Sequence, residues 1–106
     1  MAEQEGIKMK VAVGVNDFGI VAGHLGKTKR FFIFEVENQN VEFLEMRDSE
    51  SDKSNHIIEE IKDCGAVISG SMGEGMSENL KKNSITPVIE DKIVDPKDAV
   101  EKHFIN

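Results

Sequence analysis

His24 and His56, a glycine-rich run at 69–75 and the loop residues Asn16 and Asp17 are the groups here whose types and spacing bear on chemistry. His24 lies in "GHLGKT", residues 23–28, between Gly23 and Gly26. That run imitates the end of a phosphate-binding loop, but its spacing excludes one. Such a loop needs a Gly, four residues, then Gly-Lys-Ser/Thr, with a helix to follow. The required first Gly falls on Val21, and the "KRFFIFEV" that follows alternates like a strand. A histidine in so glycine-rich a loop is not placed to pack in a core. A neutral imidazole there suits a metal or cluster ligand, and equally a surface histidine with a local hydrogen bond.

The second group is "SGSMGEG", residues 69–75, between a short apolar run and a helical pattern. Backbone N–H groups at a helix start favour anions. Gly70, Gly73 and Gly75 would let a bulky ligand approach the backbone, with Met72 close enough to touch it. The alternative use of the same glycines is a tight strand-to-helix turn. His56, at the start of a helical pattern, is a candidate second ligand or simply a polar helix-start residue. Cys64 rules itself out by position. It precedes the apolar run that the glycine loop follows, and that strand separates the two by roughly 15 Å. It reads as a buried structural thiol on an apolar helix face. His103, near the end of the chain, is expected to have no role.

These groups need a scaffold, and the periodicities supply one. "KMKVAVGV" alternates valines against Lys10, Ala12 and Gly14, which predicts a central strand covered on both sides. "RFFIFEV" and "VEFLEMR" read as two strands joined by an "ENQN" hairpin turn. "HIIEEIKDCG" reads as a helix with Ile57, Ile58, Ile61 and Cys64 on one face, Asn55 as cap and Gly65 as stop. "AVISG" is a short buried strand. "SMGEGMSENLKKN" is a helix whose Ser71 and Glu74 have capping-box spacing. "ITPVIE" is a strand that Pro87 confines to a sheet edge. "DPKDAVEKHFIN" is a last helix, with Asp95 as cap and Pro96 at its first position.

The order β-β-β-α-β-α-β-α makes a meander followed by crossovers. Right-handed crossovers place the fourth and fifth strands parallel, and the simplest sheet is mixed, ordered 3-2-1-4-5. If the first and fourth strands are parallel neighbours, their C-terminal ends share one edge. The chain leaves them toward opposite sides, and ligands of open α/β sheets bind in that crevice. His24, Asn16 and the glycine loop would meet there, with His56 near the same edge.

Composition narrows the function classes. A length of 106 residues predicts one domain, with residues 1–7 as a frayed tail and 8–106 as the folded unit. A net charge of -7 argues against a general nucleic-acid binder, which needs a basic surface to replace counterions. One cysteine precludes an internal disulfide. No apolar run approaches the roughly 20 residues of a membrane helix, and "MAEQEGIK" is not a signal peptide. The expectation is a cytoplasmic protein with no membrane association.

The stretches "KVAVGVND", "AGHLGKTKRFFIFEVENQNVEFLEMR" and "HIIEEIKDCGAVISGSMGEGMSENLKKNSITPVIEDK" together resemble the dinitrogenase iron–molybdenum cofactor biosynthesis family, over about residues 8–104. The resemblance implies a three-layer, ribonuclease H-like α/β fold. It also implies a capacity to carry or insert a metal–sulfur cluster. The family's Ser-x-His-Phe-Gly loop falls on Ala22, Gly23, His24, Leu25 and Gly26, so the His and last Gly are kept and the Ser and Phe are not. The glycine loop matches at Gly70, Met72, Gly73 and Gly75.

Three functions are then in view. The first is a carrier for an iron–sulfur or iron–molybdenum cluster, with His24 coordinating metal and the 70–75 loop holding the anionic cluster. Its acidic surface would dock protein partners in cofactor delivery. The second is a cofactor-free regulatory or adaptor module that binds a small anion or a protein partner. The third is a metal-dependent nuclease, an enzymatic reading that lacks carboxylates: Asp17 stands near the first strand's end, but the fourth strand offers Ser69.

Overall fold

The computed structural model describes residues 8–21, 23–49 and 54–105, with the backbone alone for Lys27 and residues 54–56. The expected frayed tail at 1–7 and the Asn55 cap therefore lie outside the described residues and side chains. The strands are β1 (Lys8–Val15), β2 (Arg30–Glu37), β3 (Asn40–Asp48), β4 (Ala66–Ser69) and β5 (Thr86–Ile89). The helices are α1 (Ser54–Glu60), α2 (Glu74–Lys82) and α3 (Pro96–Phe104), and a single 3-10 turn spans Leu25–Lys27.

The five strands form one mixed sheet in the order β3-β2-β1-β4-β5, as predicted. β1–β2 and β2–β3 are antiparallel, and β1–β4 and β4–β5 are parallel. Glu37 pairs with Asn40, so Asn38 and Gln39 form the hairpin loop. Asn38 takes φ 59°, the left-handed conformation that asparagine tolerates in such turns. β5 lies at the edge, where Pro87 removes no donor from a central ladder.

Alternation along the strands divides the core into two layers. Ala12, Phe31, Ile33 and Val67 face α1 and α2, where Ile57, Ile61, Met76 and Leu80 complete one cluster. Val11, Val13, Phe34 and Ile68 face α3, where Ala99 and Val100 complete the other. β4 is buried at every residue, as a strand covered on both faces must be.

Two helix boundaries differ from expectation. α2 starts with Gly73 as cap and no side-chain capping bond, so the Ser71–Glu74 box does not form. Ser71 instead continues the sheet through a parallel bridge to His24, and its hydroxyl donates to Gly23 O at 3.4 Å. The helix predicted to run to Gly65 ends at Glu60. Arg47 Nη1 donates to Glu60 O at 2.9 Å, and Cys64 N–H turns instead to Ile61 O at 2.9 Å. The last turn is thereby tightened. The same guanidinium forks onto Asp63, with Nη1–Oδ1 2.8 Å and Nη2–Oδ2 2.9 Å, which ties β3 to the segment entering β4. The pairing holds the Asp63 carboxyl well below the usual carboxylate range and raises the guanidinium pKa. Burial, with Asp63 adjacent, pushes the Cys64 thiol up to about 12, which fits the expected inert structural thiol.

α3 is capped by Asp95, whose Oδ2 accepts Lys97 N–H at 3.0 Å, with Pro96 first in the helix. Its far end carries a contact the sequence reading did not foresee. Glu90, just past β5 and 2% exposed at its side chain, receives Lys102 Nζ at 3.0 Å and pairs with His103 Nε2 at 2.9 Å. His103, expected to be idle, therefore helps fasten α3 to the sheet. The hydrogen bonds from Lys102 and then His103 lower the Glu90 carboxyl to about 2.

Glu90→Ala should cost roughly 3 kcal/mol in urea denaturation, the low end for breaking a buried pair, because Lys102 stays half exposed. The folded pKa of Glu90 lies below its unfolded value. Its contribution is therefore complete above about 4.5 and is lost as pH falls toward about 2. Glu90→Gln should flatten acid unfolding in that window, and an unchanged profile would refute the assignment.

Candidate functional site

The parallel pairing of β1 with β4 brings Val15 and Ser69 to one edge, as the crevice argument requires. Beyond β1 the chain makes a tight turn. Asn16 Oδ1 accepts Phe18 N–H at 2.8 Å and Ile20 N–H at 3.2 Å, and Gly19 takes φ +76°. Val21 then bridges back to Val15 and donates to Val94 O at 3.3 Å. On the other side of the sheet Leu25 is fully buried in the α1–α2 cluster. The strip at Gly23 and His24 lies across the ends of β1 and β4.

Two serine hydroxyls hold that strip. Ser69 Oγ, fully buried, reaches Gly23 O at 3.3 Å, and Ser71 Oγ reaches the same carbonyl at 3.4 Å. Leu25 N–H donates to Ser71 O at 2.9 Å. Thr28, also buried, donates from Oγ1 to His24 O at 3.4 Å and packs where a Cβ on Gly14 would stand. The smallness of Gly14, read in the sequence only as part of a covered strand, makes room for this contact.

The switch point is thus floored by the His24 loop, and the expected single crevice becomes three open depressions. Asn16, Asp17, Gly23, His24 and Lys29 line one of about 260 Å³. Gly23, Gly70, Ser71, Glu90 and Lys92 line a second of about 240 Å³. Met72, Gly73, Glu74, Ser77 and Lys81 line a third of about 310 Å³. His24 and Asn16 are brought together, and the bridge to Ser71 sets His24 beside the glycine loop. Met72 is partly buried against the α1–α2 cluster and also borders the third depression. The side chain of His56 lies outside the described ones. Ser69, read in the sequence only as the first residue of the glycine-rich run, and Glu90, given no part there, shape the floor and wall of the site.

His24 is exposed, as expected of a loop residue, and its Nδ1 accepts Gly26 N–H at 3.1 Å. Among the described residues, no group of three or more His, Cys, Asp or Glu is gathered to hold a metal ion. The hydrogen-bond donors on offer are one imidazole, the Asn16 amide, the ammonium groups of Lys29, Lys81 and Lys92, hydroxyls and backbone N–H groups. Those of Glu74, Gly75 and Met76 lie in the uncapped first turn of α2. This set fits an anionic cargo held by hydrogen bonds and does not fit a thiolate cage.

Gly73 and Gly75 are telling. Gly73 has φ -76° and ψ 164°, which any residue adopts, and Gly75 lies within α2. A Cβ added to either would meet nothing within 4 Å. Neither backbone strain nor packing inside this chain calls for glycine at these positions.

The fold and this loop pair define a class, and comparison with known proteins identifies it. Residues 8–104 match the family "Dinitrogenase iron-molybdenum cofactor", and the chain belongs to that family. It is 32% identical over 97 residues to the FeMo cofactor biosynthesis protein NifB of Herbaspirillum seropedicae, covering 83% of this chain and 18% of the relative. To NifB of Bradyrhizobium diazoefficiens it is 28% identical over 95 residues, covering 81% and 19%. The chain thus spans less than a fifth of the length of these curated relatives. The crystal structure of PH0822 shares the fold with TM-score 0.75 at 21% identity, over 88% of this chain and 87% of that one. The NMR structure of TM1290 from Thermotoga does so with TM-score 0.60 at 19% identity, over 88% and 84%.

Gly75→Ala should leave the fold intact and raise its stability by about 0.5 kcal/mol, since alanine is the better helix former and the space is open. Urea denaturation checks this, and a loss of stability would show that the glycine is structural.

Proposed function

We propose that this chain is a small binding protein for an anionic metal–sulfur cluster, of iron–sulfur or iron–molybdenum–sulfur type, acting in cofactor assembly. The observation that carries the reading is the pair Gly73 and Gly75, open to solvent at an uncapped helix start beside His24. Glycine at 75, inside the helix, costs stability and gains nothing internally, and with Gly73 at the cap it lets a bulky anion reach the N–H groups of α2. Family membership supports the same reading, and so do the two curated relatives named FeMo cofactor biosynthesis proteins. The cluster is cargo. A shallow site made of hydrogen-bond donors lets it leave as readily as it enters.

One observation favours a second reading, an adaptor that binds a protein. Phe18 and Ile93 are 86% and 87% exposed, and the Val21–Val94 hydrogen bond links their two loops at this edge. The nuclease reading gains no support: Ser69 is spent on the Gly23 and Ser71 carbonyls.

The test is an anaerobic titration of the protein with iron–sulfur and iron–molybdenum clusters, followed by visible absorption. Saturable binding is expected, weakened about tenfold in His24→Ala. It should also weaken in Gly73→Val, whose branched side chain fills the open space, with the fold unchanged by circular dichroism. No binding by the wild type would favour the adaptor.

A further inference from the structure

His24 invites the reading of a metal ligand, and its hydrogen bonding argues for a different role. Gly26 N–H points at Nδ1 from 3.1 Å, and a backbone N–H can only donate. Nδ1 must therefore present its lone pair, and the neutral ring carries its proton on Nε2. Gly26 is suited to this seat: a Cβ there would come within 3.2 Å of His24 Cε1 and Nδ1. The ring lies against the glycine and caps the 3-10 turn at Leu25–Lys27.

Metal ligation would undo this arrangement. Ligation through Nε2 moves the proton to Nδ1, which sets two donors against each other across 3.1 Å. Ligation through Nδ1 displaces Gly26 N–H and uncaps the turn. Metal-bound histidines as a rule donate their second ring nitrogen's proton to an acceptor. Here the second nitrogen faces a donor. No group of three or more His, Cys, Asp or Glu gathers as a metal site among the described residues. Lys29 and Asp17 line the same depression and oppose each other in charge, and the imidazole N–H stands there as a neutral donor beside the Asn16 amide.

We infer that His24 meets its cargo as an Nε2–H hydrogen-bond donor and not as a metal ligand, so that the site selects anions bearing sulfide or oxide acceptors over bare cations. The inference rests on the proposed function for the cargo's class, while the tautomer is a property of the free protein.

The test has two parts. Long-range proton–nitrogen NMR of the ligand-free protein should find His24 in the Nε2–H tautomer, and an Nδ1–H tautomer would overturn the inference. Titration with tetrathiomolybdate, a sulfide-bearing anion without iron, should then show binding that falls roughly five- to tenfold in His24→Ala. His24→Gln, which restores an N–H donor, should recover most of that loss. Titration with ferrous ion alone should show no binding that depends on His24. Ferrous binding lost in both variants would overturn the inference and leave the cluster-binding function standing. Failure of wild-type protein to bind tetrathiomolybdate or either cluster would bring down the function, and the donor role with it, whatever the tautomer.

Discussion

Three parallel pairings, Val11 with Ala66, Ala12 with Val67 and Val13 with Ile68, set the geometry on which the candidate site depends. A parallel neighbour cannot be reached by a hairpin, so the chain must cross the sheet to make it. In doing so it commits β1 and β4 to burial on both faces and brings their C-terminal ends together. Val15 and Ser69 then open onto one edge, and every loop that leaves that edge must find its hydrogen bonds there. The Gly23 carbonyl finds two serine hydroxyls, Leu25 N–H finds Ser71 O, and Val21 N–H finds Val94 O. The His24 loop is therefore an extension of the sheet's hydrogen bonding.

That anchoring separates the residues that hold the loop from those the loop displays. Leu25 and Thr28 are buried and Gly14 gives Thr28 room, whereas His24 and Gly23 remain on the surface. Leu25 occupies the place where the family pattern carries Phe, and it is a core residue here. That position changes identity without touching the site's chemistry. The glycines on either side of β4 show the same division. Gly65 is small because Met9 packs within 2.7 Å of where its Cβ would stand, while Gly73 and Gly75 face open space. Identical residues thus answer to different constraints, and only coordinates separate them.

This bounds what could be read from the chain alone. Strand order was legible because alternation, Pro87 and the right-handed crossover rule leave few arrangements. The Asp95 cap was legible because Asp followed by Pro is a local signal. The capping box at Ser71 and Glu74 was equally local in form and failed. Ser71 had a better partner in Gly23, 48 residues away in sequence. The early end of α1 and the fastening of α3 have the same origin. Arg47 reaches Glu60 O across 13 residues and His103 reaches Glu90 across 13, and neither pair shares a periodic pattern. For the site, the meeting of His24 with the glycine loop followed from topology. Its division into three depressions did not, because that depends on which carbonyl the serines capture.

A shallow, divided surface has a consequence for the kind of binding it supports. A closed pocket holds a ligand by burying it, and release then requires the protein to open. Here the loops are pinned: Asn16 Oδ1 takes two N–H groups, Glu90 takes Lys102, His103 and the Lys92 N–H, and Ser69 is fully buried. Affinity for the proposed cargo would then come from donors that these contacts hold in place. Under the proposed function, specificity would come from a mismatch that excludes the wrong ligand, and the inferred donor role of His24 would supply one against bare cations. A shallow surface of this kind would suit the proposed cargo if it is passed between proteins, since the receiving surface can approach what the donor leaves uncovered. Phe18 and Ile93, projecting from two pinned loops at that edge, are the apolar groups such an approach would meet first.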